Sequence, residues 1–164
     1  MLYSFCAKTN CTDGALPSSG VIFDQKGNLY GTTHVGGAYS GFCGQYIPGC
    51  GVVFKLTPEG RATVLYSFCA QNNCSDGALP GAGLVFDKSG NLYGATAWGG
   101  VTNNLCARGC GVVFELTAKG KETVLYSFCR NCSGEYAKSA KPFRWTYTDP
   151  QKQIRINEIT GTAY

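Results

Sequence analysis

The stretch Cys50-Gly-Val-Val-Phe-Lys-Leu-Thr-Pro-Glu-Gly-Arg-Ala-Thr-Val-Leu-Tyr-Ser-Phe-Cys69 returns 60 residues later as Cys110-Gly-Val-Val-Phe-Glu-Leu-Thr-Ala-Lys-Gly-Lys-Glu-Thr-Val-Leu-Tyr-Ser-Phe-Cys129. In each copy two apolar runs flank a short turn that ends in glycine, the pattern of a β-hairpin. In the outer run of the second copy, Val124, Tyr126 and Phe128 fall on one face and Leu125, Ser127 and Cys129 on the other. That is the period-two alternation of a pleated strand. A second hairpin lies upstream in each copy, as in Gly83-Leu-Val-Phe-Asp87, the turn Lys88-Ser-Gly90 and the run Asn91-Leu-Tyr-Gly-Ala-Thr96.

The pentapeptide Leu-Tyr-Ser-Phe-Cys also stands at 2–6, so the chain is a tandem array with units at about 2–64 and 65–124 and a partial third at 125–132. The two full copies share Asp-Gly-Ala-Leu-Pro at 13–17 and 76–80 and Gly-Asn-Leu-Tyr-Gly at 27–31 and 90–94. Their lengths differ only between the Gly36-Gly37 or Gly99-Gly100 pair and the Cys-Gly-Val-Val-Phe strand, which marks that segment as a loop. Four antiparallel strands per unit predict an all-β, propeller-like fold that is incomplete, with about two blades and about nine strands, followed by an irregular tail. A β-solenoid and an open β-sandwich are the alternative architectures.

The composition agrees with this reading. Twenty-three glycines, ten tyrosines and nine phenylalanines stand beside a single methionine, and charged residues make up only 15% of the chain. Short strands and tight turns use such residues; long helices do not. The formal charge of +4 is no argument for nucleic acid at the repeats, because residues 1–129 hold eight Lys/Arg against seven Asp/Glu and the other +3 follows residue 129.

Ten cysteines fall in close pairs: Cys6/Cys11, Cys43/Cys50, Cys69/Cys74, Cys106/Cys110 and Cys129/Cys132. Even, local pairing reads first as disulfides formed in an oxidising, extracellular or cell-surface setting. Convergence of Cys6, Cys11, Cys43 and Cys50 on one zinc ion is the alternative, against which the four-, six- and three-residue gaps speak. No apolar run approaches the length of a membrane span, and the chain opens inside a repeat, so the expectation is a piece of a longer exported protein.

Alternate connections of a meander emerge at the same edge of a sheet. The glycine turns therefore share one side, and all ten cysteines share the other with His34, Tyr39, Tyr46 and Trp98, the candidate ligand face. Trp98 and the tyrosines have the apolar ring faces that stack on sugars. His34 is the only histidine, and its counterpart in the second unit is Ala97, so no hydrolase triad is legible. Asp24, Asp87, Asp13 and Asp76 stand at turns, where aspartate caps backbone amides, and no metal or cofactor is expected from them.

The repeated Gly-Asn-Leu-Tyr-Gly, the Gly-Gly pair, Gly-Val-Val-Phe-x-Leu-Thr and Val-Leu-Tyr-Ser-Phe resemble the bacterial GloVer tandem repeat of the choice-of-anchor proteins over about residues 1–132. The resemblance implies an exported or surface-attached propeller-like protein and carries no catalytic residues. After Cys132 the repeat register stops. The run Ala140-Lys-Pro-Phe-Arg-Trp-Thr-Tyr147 within the tail at 133–164 is similar to the carboxy-terminal end of mariner-like DDE transposases. The expected function is accordingly a non-enzymatic binding segment of a surface protein. Its expected partners are a cell-surface glycan or protein and the missing repeats of a longer parent. The alternatives are a non-functional hybrid left by an insertion element and an extracellular hydrolase-like propeller.

Overall fold

A computed structural model of the protein describes residues 1–38, 43, 49–104 and 106–128. Among the described residues ten strands form two antiparallel sheets, one per repeat, and there is no α-helix. The first sheet holds β1 (Ala15–Pro17), β2 (Ile22–Phe23), β3 (Leu29–Val35), β4 (Val52–Leu56) and β5 (Ala62–Ser67). The second holds β6 (Ala78–Pro80), β7 (Val85–Phe86), β8 (Leu92–Trp98), β9 (Val112–Leu116) and β10 (Glu122–Ser127). The fold is all-β and propeller-like, and the two sheets do not close on themselves.

Each sheet is a four-strand meander whose first strand is broken. β1 and β2 both pair with β3, through Ala15↔Val35 at one end and Ile22↔Tyr30 at the other, and β6 and β7 pair with β8 in the same way. The shared Ala-Leu-Pro, a motif without assigned secondary structure in the sequence, is a short strand. A three-residue strand ending in proline, with Leu16 and Leu79 at positive φ, gives no alternation to detect.

The hairpin turns follow from Asp and Gly. The Asp24 carboxylate accepts hydrogen bonds from the amides of Lys26 and Asn28, the Asn28 side chain and the Tyr30 hydroxyl, at 2.7–3.1 Å. These partners, with the Asn28 side chain first, hold its carboxyl at about 2. Asp87 repeats the arrangement with Ser89, Asn91 and Tyr93. Gly27 and Gly60 close their turns at φ +78° and +81°, where a side chain would be strained.

The outer strand corrects one expectation. Val124 lies opposite Phe114 whereas Tyr126 lies opposite Val113, so a β-bulge at Leu125 puts Val124 and Tyr126 on opposite faces. β5 carries the same bulge at Leu65. One extra residue against a single partner shifts the alternation by one, which a period count cannot see.

The core is formed by stacking the sheets. One face of the first sheet, with Tyr30, Val53 and Tyr66, packs on Leu84, Leu92, Val112, Phe114 and Leu116 of the second. Phe68, beyond the end of β5, lies edge-on to Phe114 with ring centroids 5.1 Å apart. The opposite face of the first sheet, with Val52, Phe54 and Leu56, is covered by Tyr3 and Phe5. Residues Leu2–Cys6 thus stand to the first sheet as Leu65–Cys69 stand to the second.

Candidate functional site at the disulfide-stapled end

The Cys6/Cys11 and Cys69/Cys74 loops are shaped by buried aspartates. Asp13 accepts hydrogen bonds from the amides of Ala7 (3.0 Å) and Lys8 (3.1 Å) and from the Tyr3 hydroxyl (2.6 Å). Asp76 does the same with Ala70 (2.9 Å), Gln71 (3.2 Å) and Tyr66 (2.8 Å). Burial pushes the Asp13 carboxyl up, but the bonds from Tyr3, Ala7 and Lys8 outweigh it and hold the group below its ordinary value. In return the hydrogen bond to Asp13, with burial, raises the Tyr3 hydroxyl to about 12. These aspartates do more than cap turns. Asp76 ties the end of β5 to the loop that enters the second sheet, and Asp13 ties the segment around Tyr3 to the loop that enters the first.

The loops then seat on the glycine pairs. Cys11 and Cys74 carbonyls accept the amides of Gly37 and Gly100, both at 3.0 Å. Gly51 and Gly111 amides bond back to the Gly36 and Gly99 carbonyls at 2.9 and 3.1 Å. The Leu79 amide donates to the Cys50 carbonyl at 2.8 Å, joining the second repeat's short strand to the first repeat's long loop.

Four cysteine pairs are joined as disulfides: Cys6–Cys11, Cys43–Cys50, Cys69–Cys74 and Cys106–Cys110. The Cys129/Cys132 pair lies outside the described residues. The sulfur atoms that approach each other across the repeats are those of Cys43, Cys50 and Cys69, all within 4.8 Å. The combination considered for zinc from sequence, Cys6 and Cys11 with Cys43 and Cys50, is not the group that converges. While Cys43, Cys50 and Cys69 are disulfide-bonded they offer no thiolate to a metal.

Trp98 packs against the buried cluster that holds Cys50 and Cys74 and against that of Cys11, Val35 and Leu79, and the Arg108 guanidinium lies over its ring at 4.8 Å. One ring face is therefore occupied by a cation, a contact the sequence did not disclose because the partner lies across a loop. His34 is half-buried on β3 beside Val35. Tyr39 and Tyr46, the other members of the candidate ligand face, lie outside the described residues. Elsewhere a shallow groove of about 300 Å³ runs beside Val101, Leu125 and Tyr126 along β10.

Stacked four-strand meanders with their cysteine-rich loops gathered at one end define a tandem β-repeat module. The chain belongs to the Gloeobacter/Verrucomicrobia repeat family, whose model matches residues 1–143. That match runs past Cys132, where the visible register of the repeats stops. No curated protein matches the chain. Among the described residues no helix is long and apolar enough to cross a membrane.

Proposed function

We propose that the chain is a non-catalytic binding module of an exported bacterial surface protein, with the disulfide-stapled end as its ligand-contacting face. The observation that carries this reading is that both repeats place the same features at the same end of the sheet: buried Asp13 and Asp76, the glycine pairs and four local disulfides. Small closed loops of this kind lose little further entropy when they bind, which favours recognition without chemistry. The four disulfide pairs support an oxidising, extracellular setting. Half-buried Trp98 and the exposed Arg108 over its ring bring an aromatic surface and a cation together, suited to an acidic or neutral glycan.

The test is a glycan array probed with the oxidised protein, followed by isothermal titration calorimetry. Binding that falls at least tenfold in Trp98→Ala, with the glycan recovered intact, supports the reading. Cleavage of the bound glycan, or binding indifferent to Trp98 and Arg108, overturns it.

A second reading has an observation of its own. Ten residues after Tyr3 and Tyr66 stand Asp13 and Asp76, but ten residues after Tyr126 stands Tyr136. The third copy therefore departs from the pattern at its structural carboxylate, as a hybrid reading frame with a transposase-like tail would. Sequencing across the locus and finding no remnant of an insertion element at codon 133 would end that reading.

A further inference from the structure

The two repeats share their strand and turn motifs, yet equivalent residues differ in exposure in an ordered way. Leu16, Val21 and Phe23 in the first repeat are 58%, 45% and 66% exposed. Their counterparts Leu79 and Leu84 are 6% and 2% exposed, and Phe86 is half-buried. The second repeat hides this face because the first repeat covers it: Phe86 meets Tyr30, and Leu84 joins the cluster of Val53 and Tyr66.

On the other face the order is reversed. Ile22 and Leu65 of the first sheet pack against the core cluster shared with the second, while their counterparts Val85 and Leu125 are 61% and 46% exposed. Phe68 is buried and its counterpart Phe128 is exposed. Among the described residues two apolar patches are thus open on the outer faces of the two sheets: Leu16, Val21 and Phe23, which Tyr3 and Phe5 leave uncovered on the first, and Val85, Leu125 and Phe128 on the second. Each patch belongs to a face equivalent to one half of the interface between the two sheets.

We infer that a second copy of this chain docks on these faces head to tail, with Leu16, Val21 and Phe23 of one copy against the Val85, Tyr93 and Leu125 face of the next. The contact repeats the internal one, so Phe23 would meet Tyr93 of the neighbour as Phe86 meets Tyr30. The interface is heterologous: two different surfaces are used, and addition of copies continues until a ring closes or a filament grows. Full repetition also places Leu125–Phe128 of one copy where Leu2–Phe5 of the next lies. Leu2–Phe5 form no strand, whereas β10 arrives already paired with β9, so the N-terminal segment is the one that yields.

Two exposed positions test this without touching the core. Phe23→Glu spoils one face and Val85→Glu the other, and circular dichroism checks that each variant remains folded. Sedimentation velocity of the oxidised 164-residue chain, from micromolar to sub-millimolar concentration, is expected to show concentration-dependent species of dimer size and above. Each single variant is expected to be monomeric over the same range. An equimolar mixture of the two variants retains one good face on each and is expected to stop at the 1:1 dimer. If the 164-residue chain stays monomeric throughout, the inference fails. It fails equally if the single variants assemble as the parent does, or if the mixture remains monomeric.

Discussion

The Tyr30 ring meets the Phe86 ring edge-on across the two sheets, with centroids 5.0 Å apart and planes at 82°. Tyr30 belongs to the first repeat and Phe86 to the second, so this contact reports on the stacking of the sheets. Its sequence equivalent, Phe23, is exposed. Phe86→Ala is therefore expected to cost about 2 kcal/mol of stability, and Phe23→Ala less than about 0.5 kcal/mol. Urea denaturation of the monomeric protein, followed by tryptophan fluorescence, checks the difference. Equal costs would mean that the aromatic pair does not hold the sheets together.

Glu122 points from β10 toward the sheet interface, and its two carboxylate oxygens are buried without a hydrogen-bond partner. Burial first, then the negative charge of Asp76, raises its carboxyl to about 7. A folded-state pKa above the unfolded one means that the folded state binds the extra proton. The penalty is absent below the unfolded value of about 4.5, grows as pH rises and is complete above about 7. Stability should thus fall between pH 5 and pH 8 by about 1 kcal/mol, an amount reduced by the partial exposure of the residue. Glu122→Ala, which installs the residue found at Ala62 in the first repeat, should flatten that slope and raise the melting temperature at pH 8.

Asp13 and Asp76 each serve three donors while almost fully buried. Asp76→Ala is expected to cost about 3 kcal/mol, since two amides and a tyrosine hydroxyl lose their acceptor. For Asp13 the sign with pH is opposite to that of Glu122. Its lowered carboxyl adds stability above the unfolded value, and that stability is lost as pH falls through the folded one. Thermal melts of Asp13→Asn and the parent should converge in strong acid and separate near neutrality.

A Cβ at Gly36 would lie 2.6 Å from the Gly14 Cα and 2.7 Å from the Cys11 carbonyl oxygen, at a φ of +83°. Gly90 has a similar φ of +81° but open space around it. Gly36→Ala should therefore cost more than about 3 kcal/mol or prevent folding, and Gly90→Ala about 1 kcal/mol. Comparing the two by thermal denaturation separates steric contact from backbone strain.

Peptide mapping of unreduced protein should recover Cys6–Cys11, Cys43–Cys50, Cys69–Cys74 and Cys106–Cys110 as local disulfides. Opening each is expected to cost about 2 kcal/mol. Because Cys43, Cys50 and Cys69 are neighbours, any mispairing after partial reduction should link Cys69 to Cys43 or Cys50 before it links distant pairs. Zinc bound by the protein as exported, with free thiols at these positions, would contradict the disulfide reading.

The recurrence of Cys-Gly-Val-Val-Phe and Leu-Tyr-Ser-Phe-Cys was enough to read the repeat, the strands β2 to β5 and β7 to β10, and the glycine turns, because these depend on local spacing and on residues that only turns or strands favour. Placement of the cysteine loops at one end also follows from the sequence, since the topology of a meander is set by the order of its hairpins. The short strand at Ala-Leu-Pro and the bulges at Leu65 and Leu125 escaped, because each depends on where a partner strand runs rather than on the pattern of the strand itself.

Sequence by itself determined that this protein is a tandem all-β array and which residues recur in equivalent places. Only the tertiary structure decided that equivalent residues are not equally used. Leu79 and Phe86 are covered and Leu16 and Phe23 are open, although the copies read alike, because burial depends on a neighbour that the first repeat supplies to the second. Likewise Asp13 and Asp76 became buried acceptors, and Arg108 the cover of Trp98, through contacts between segments far apart in the chain, which a linear pattern does not encode.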